Sequence, residues 1–169
     1  MSNFHEISTK ELSGNTFKMI GNDWMLVTAE KENQVNTMTA SWGGFGVMWG
    51  KDVAFIVIRP QRYTKEFVDS AKTFSLSFFD DKDKSILAYC GKVSGRSEDK
   101  IQKTGLITAY HEETPYFSQA KTVLICKKLY NQPMHKEGFT DANLYENWYH
   151  NNDVHTIYIA EITKILVRD

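Results

Sequence analysis

The run Val53-Ala54-Phe55-Ile56-Val57-Ile58 is apolar without interruption, partly β-branched, and stopped by Arg59-Pro60. A segment of that length and composition is the pattern of a buried strand. It does not stand alone. Residues 24–29 read as a strand, 30–34 as a charged turn, and 36–41 as the hairpin partner, so the chain begins with a meander. Residues 74–79, 122–130 and 155–167 are further strand candidates. Between them, residues 64–71 carry Phe67, Val68 and Ala71 at helical spacing, with Thr64 placed to cap the start and Glu66 in the first turn. Residues 83–90 and 97–103 read as two more short helices, 43–51 as a glycine-rich loop, and 131–153 as a polar, aromatic-rich excursion. Several strands with two or three short helices argue for a β-rich barrel with helices packed outside it, not for a doubly wound parallel sheet.

The 169 residues, 41% hydrophobic and 13% aromatic, suit a single domain spanning 1–169 with a sizeable core. Twenty basic against 21 acidic residues leave a formal charge of −1, which offers no general attraction to nucleic acid or to an anionic membrane. Glu6, Lys10, Glu11 and Lys18 interrupt the first twenty residues, and no apolar run reaches membrane-spanning length. The expectation is a cytoplasmic protein. Cys90 and Cys126 lack zinc-site spacing and read as reduced thiols, and the histidines show no metal-binding arrangement.

The chemistry concentrates in Asn36-Thr37-Met38-Thr39-Ala40-Ser41-Trp42, followed by Gly43, Gly44 and Gly46. Alternation sets Thr37, Thr39 and Ser41 on one face of a strand against Asn36, Met38, Ala40 and Trp42 on the other. Short hydroxyls and open backbone groups on such an edge suit a phosphate or a polar heterocycle, with Trp42 as a flat apolar wall. Downstream, Gly91-Lys92-Val93-Ser94-Gly95-Arg96-Ser97 signals a loop that brings backbone N–H groups close to a ligand.

Three blocks, Asn36 to Trp42, Arg59 to Thr64, and Ser94-Gly95-Arg96-Ser97-Glu98-Asp99-Lys100, together resemble the flavin reductase-like family, whose domain is an FMN-binding split β-barrel with Greek-key-like connections. Asp153-Val154-His155-Thr156-Ile157-Tyr158 resembles that family's late barrel strand. The resemblance covers most of the chain. It implies FMN as cofactor near the interface of a homodimer, with the first block beside the isoalloxazine and ribityl chain. It further implies Arg59, Thr64, Ser94, Gly95 and Lys100 around the phosphate, and His155 near the flavin. Guanidinium and hydroxyl donors suit an anion. The sequence departs from the family pattern at Gly50-Lys51, where relatives often carry a proline pair, and at Ser97, where an aspartate is common.

On that basis the chain is expected to pass electrons from NAD(P)H through FMN to free flavin, a small acceptor or a redox partner protein. The alternatives are a flavoredoxin-like electron carrier without turnover, or a split-barrel protein with another ligand, such as a haem binder or a relative of pyridoxine-phosphate oxidase. No residue stands out as a catalytic acid or nucleophile, as expected where the cofactor carries the hard chemistry. Taken singly, Met38 and Trp42 also read as core, Arg59 as a sheet-end cap, Lys100 as a solvated helix residue, Ser94-Gly95 as a plain turn, and His155 as a satisfied strand histidine. Cys90 reads as a buried structural thiol.

Overall fold

A computed structural model describes residues 3–169. Ten strands are present among them: β1 (Phe4–Ile7), β2 (Met25–Lys31), β3 (Gln34–Ala40), β4 (Gly43–Met48), β5 (Lys51–Ile58), β6 (Thr73–Phe78), β7 (Thr108–His111), β8 (Thr114–Phe117), β9 (Thr122–Pro133) and β10 (Thr156–Arg168). Five helices accompany them: α1 (Thr16–Lys18), α2 (Thr64–Ser70), α3 (Lys84–Lys92), α4 (Lys100–Thr104) and α5 (Ala142–Trp148).

Eight strands form one antiparallel sheet in the order β3-β2-β6-β9-β10-β5-β4, with β1 on β10, while β7 and β8 make a separate hairpin. Its two edges, β3 and β4, are joined in sequence by Ser41 and Trp42 alone. Two residues span too little distance to connect opposite edges of a flat seven-strand path, so the sheet has to curl until those edges meet. β3 and β4 do not hydrogen-bond to each other. The result is a split β-rich barrel with short helices outside, and its seam runs along β3.

Strand composition follows from the two layers. Met25, Val27 and Ala29 of β2, Ala54, Ile56 and Ile58 of β5, and Phe74 and Leu76 of β6 fill the barrel interior with Tyr158. Leu26, Val123 and Ile125 point outward beneath Leu87 and Cys90 of α3 and Phe117 of β8. Residues 123–126 of β9, covered on both sides, read as a continuous apolar run, whereas β6, equally buried, alternates, with Ser75 and Ser77 sealed between Phe74, Leu76 and Phe78.

Three local expectations are corrected. Residues 43–51, expected as a loop, are mainly strand β4 and the turn into β5. β4 makes a backbone ladder with β5 that its glycines do not prevent, and a side chain at Gly43 would lie 2.4 Å from the Phe55 carbonyl oxygen. Gly91 and Lys92, expected in the following loop, complete α3. Thr64 is the first residue of α2, with Tyr63, already in helical backbone geometry, at the cap position, and the Thr64 hydroxyl accepts a hydrogen bond from the Asn36 amide at 3.0 Å.

Candidate functional site

The exposed flank of β3 opens onto a trough. One end, about 350 Å3, is lined by Thr39, Ala40, Ser41, Trp42, Val57 and His155, with Arg59, Arg62 and Trp148 at its margin. It shares Met38 and Arg62 with a narrower part of about 160 Å3 lined by Tyr63, Thr64, Lys92, Ser94, Gly95 and Lys100. The three sequence blocks and His155 therefore converge on two adjoining depressions that share Met38 and Arg62 as lining, together of small-molecule size.

The hydroxyl face of β3 is less available than alternation implied. Thr37 is fully buried, and its hydroxyl lies 2.9 Å from that of Thr28 while donating to the Val27 carbonyl. Thr39 donates to the Leu87 carbonyl of α3 at 2.5 Å. That face lies under α3, where a buried hydroxyl needs a partner. β3 pairs with β2 on one side only, so its other edge keeps backbone N–H and C=O groups toward the trough.

The wide end is aromatic. Trp148 packs edge-on against Trp42 with ring centroids 4.8 Å apart, and the His155 ring lies 5.1 Å from Trp42. Tyr149, from the excursion after β9, places its hydroxyl 2.8 Å from His155 Nδ1. Burial first, and then the Arg59 charge, pushes His155 down to about 4, so the imidazole is neutral at pH 7.

Arg59 belongs to this end. Its guanidinium donates to the Asp153 carboxylate at 2.6 Å and to the Trp148 carbonyl at 2.9 Å, and it lies 5.2 Å from the Tyr149 ring centroid. Gln61 donates to the same carboxylate at 2.8 Å. The Gln61 amide, and behind it Arg59, holds the Asp153 carboxyl below the usual carboxylate range. These bonds tie the strap between β9 and β10 to the barrel mouth.

The narrow end is cationic. Arg62 donates to the Gly91 carbonyl at 2.9 Å and Lys100 to the Cys90 carbonyl at 3.0 Å, both at the C-terminal turn of α3, where cations complement the exposed carbonyls. Lys100 is 4% exposed, and burial lowers its ammonium to about 8. The turn that follows α3 is clasped to α2: Arg96 lies 4.6 Å from the Tyr63 ring centroid, pairs with Glu66 and donates to the Gln61 carbonyl. Gly95 is held so closely that a Cβ there would sit 2.3 Å from Asn36 Oδ1.

Arg62, Trp148 and Tyr149 escaped the residue-by-residue reading. Arg62 lies inside the Arg59 to Thr64 block, where its spacing from Thr64 marks it only in retrospect. Trp148 and Tyr149 sit in the excursion and carry no local signal. No group of three or more His, Cys, Asp or Glu side chains among the described residues is placed to hold a metal ion. Both cysteines are free and buried.

An antiparallel barrel left open at one seam, with a ligand-sized trough along that seam, defines the split-barrel class. Within that class the chain belongs to the flavin reductase-like family, whose sequence profile, described as "Flavin reductase like domain", matches residues 18–169. Among solved structures, the chain is similar to an FMN-binding domain of a flavin reductases-like enzyme from Shewanella baltica, with 16% identity, TM-score 0.70, and coverage of 98% of this chain and 78% of that one. It is also similar to a flavoredoxin from Methanosarcina acetivorans (20% identity, TM-score 0.66, 85% and 67% covered). An FMN-binding protein from Thermus thermophilus crystallised with p-hydroxybenzaldehyde matches at 19% identity and TM-score 0.66, with 95% and 80% covered. At these identities the likeness is one of fold. A comparison with curated proteins found no match.

Proposed function

We propose that the trough binds FMN, with the isoalloxazine at the Trp42 end and the phosphate at the end lined by Arg62, Lys92, Ser94, Gly95 and Lys100, and that the protein is a cytoplasmic oxidoreductase taking electrons from NAD(P)H. The single observation that carries this is the polarity of the trough: an aromatic end, where Asp153 matches the Arg59 charge, beside a cationic end that shares Met38 and Arg62 with it. An amphiphilic ligand with a planar ring and a terminal anion matches it. The donor set fits the group, since guanidinium and ammonium donors favour a phosphate over a neutral oxygen. Two such bonds at about 1.5–3 kcal/mol each, with burial of a ring system, are of the order a micromolar ligand needs, about 8 kcal/mol. When bound, FMN would supply the electron-transfer chemistry; the residues here hold it, exclude water from one ring face and orient it. Arg59, already occupied by Asp153 and Trp148, is assigned to holding the strap in place of the phosphate.

Electrons would leave to free flavin, a small acceptor or a redox partner. Pairing of two copies is supported by exposed Phe55 and Tyr130, which flank the covered Ile159 in cross-strand register, extended by Trp49 at 6.3 Å from Tyr130 and by exposed Val47 and Met48.

The visible spectrum of purified protein, after adding FMN and removing the excess, tests the reading. Retained flavin absorbance that bleaches with NADH or NADPH supports an NAD(P)H oxidoreductase. Bleaching by dithionite alone supports an electron carrier. No flavin binding at tens of micromolar FMN overturns the proposal.

A further inference from the structure

Tyr149 and His155 face each other across the mouth of the barrel, one from the strap after β9 and the other just before β10. The Tyr149 hydroxyl lies 2.8 Å from His155 Nδ1, and the two residues are 5% and 7% exposed. One of the two must donate. The phenol has no other partner among the described residues, so a phenol that merely accepted would leave its own buried proton without an acceptor. Burial raises the tyrosine above its ordinary value, and it keeps that proton at neutral pH. Donation therefore runs from Tyr149 to Nδ1, which must be the unprotonated nitrogen of a neutral ring.

The other nitrogen is the informative one. Nε2 makes no hydrogen bond to a described residue. Nor is it sealed away, because Ser77 Oγ is the only sealed side-chain polar atom without a partner among the described residues. Nε2 is therefore accessible, on a residue that lines the wide end of the trough with Trp42. Tyr149 is itself fixed from behind by Arg59, which lies over its ring and binds the neighbouring Trp148 carbonyl.

We infer that Tyr149 is a positioning residue: its hydroxyl holds His155 in the tautomer protonated on Nε2, so that a neutral N–H donor is offered to an acceptor atom of a planar heterocycle bound against Trp42. The ligand half of this inference rests on the flavin reading of the trough. The tautomer half does not.

The experiment is long-range 1H–15N correlation on 15N-histidine-labelled protein at pH 7, with His155 assigned by the loss of its signals in His155→Asn. In ligand-free wild type the expected pattern is a protonated Nε2 and an unprotonated Nδ1; the opposite pattern overturns the inference. This arm needs no substitution at Tyr149, so a misfolded variant does not void it. In Tyr149→Phe the pattern should shift to mixed tautomers, whereas an unchanged fixed tautomer removes the positioning role. Adding FMN to wild type should move the Nε2 resonance, and the shift should shrink at least several-fold in Tyr149→Phe. FMN that binds without moving Nε2 overturns the donor role. FMN that does not bind at all overturns the flavin reading and that role together, and is told apart from a tautomer failure because the first two arms are read without ligand.

Discussion

Arg59 and Arg62, three residues apart, serve one trough differently: the first is bonded to Asp153 and the Trp148 carbonyl at the aromatic end, while the second, bonded to the Gly91 carbonyl, stands where the aromatic and cationic ends meet. Pro60 and Gln61 form the turn between them, closed by the Arg62 N–H donating to the Arg59 carbonyl at 3.1 Å. Their replacement should therefore have different signatures. Arg62→Ala should weaken FMN about 10- to 100-fold, the equivalent of one charge-assisted bond, and riboflavin far less. Arg59→Ala should affect both flavins alike, through the strap. Calorimetric titration with each flavin checks this, and equal losses in Arg62→Ala would remove Arg62 from the phosphate.

Lys100 predicts how binding responds to alkali. In the free protein its ammonium titrates at about 8, lowered first by burial and also by Arg62. A bound phosphate stabilises the charged form, so above pH 8 binding has to take a proton back. FMN affinity should then fall by up to about tenfold per pH unit, with riboflavin unaffected. Lys100→Arg should flatten the slope. A pH-independent FMN affinity between 7 and 9.5 in wild type would mean that Lys100 does not face the anion.

His155 governs the acid side of stability. Its folded value, about 4, lies below the ordinary histidine value of 6.5, so as pH falls through that interval the unfolded chain gains a proton that the folded chain refuses. Stability is unaffected above 6.5, declines as pH drops toward 4, and levels off below. The loss is about 3 kcal/mol at most. Urea unfolding at pH 7, 5.5 and 4.5 should show it, and His155→Gln should lack that part of the slope.

Gly95→Ala should be costly. The added methyl would fall 2.3 Å from Asn36 Oδ1 and 3.1 Å from Tyr63 Cδ1, and Asn36 is itself committed to Thr64. Displacement should destabilise by about 1–3 kcal/mol and reduce FMN binding. Gly46→Ala, where no atom lies within 4 Å of the new carbon, is the matched control and should be near neutral. Equal melting temperatures for the two variants would contradict the close fit at Gly95.

Val53 to Ile58 was legible from its unbroken, partly β-branched apolar run, although only one of its faces is fully buried and Phe55 on the other is 39% exposed. β4 was not, since an edge strand of glycines is held by backbone bonds that side-chain patterns do not report. The β7–β8 hairpin escaped because its strands are only four residues each, too short for a period to show, although β8 is largely buried. Within the site, the motif blocks brought Lys100 and His155 to the two ends of the trough, while Asn36 bonds the Thr64 hydroxyl behind its wall. Thr37 was misjudged because its hydroxyl is claimed by Val27 and Thr28 across a strand pairing that no local pattern encodes. Tyr149 was invisible, as its role depends on where a 23-residue excursion, 131–153, returns to the barrel.

The link of Ser41 and Trp42 has a mechanical meaning. Because it alone carries the chain from one lip of the barrel to the other, the indole that walls the trough is anchored at the crossing of the seam itself.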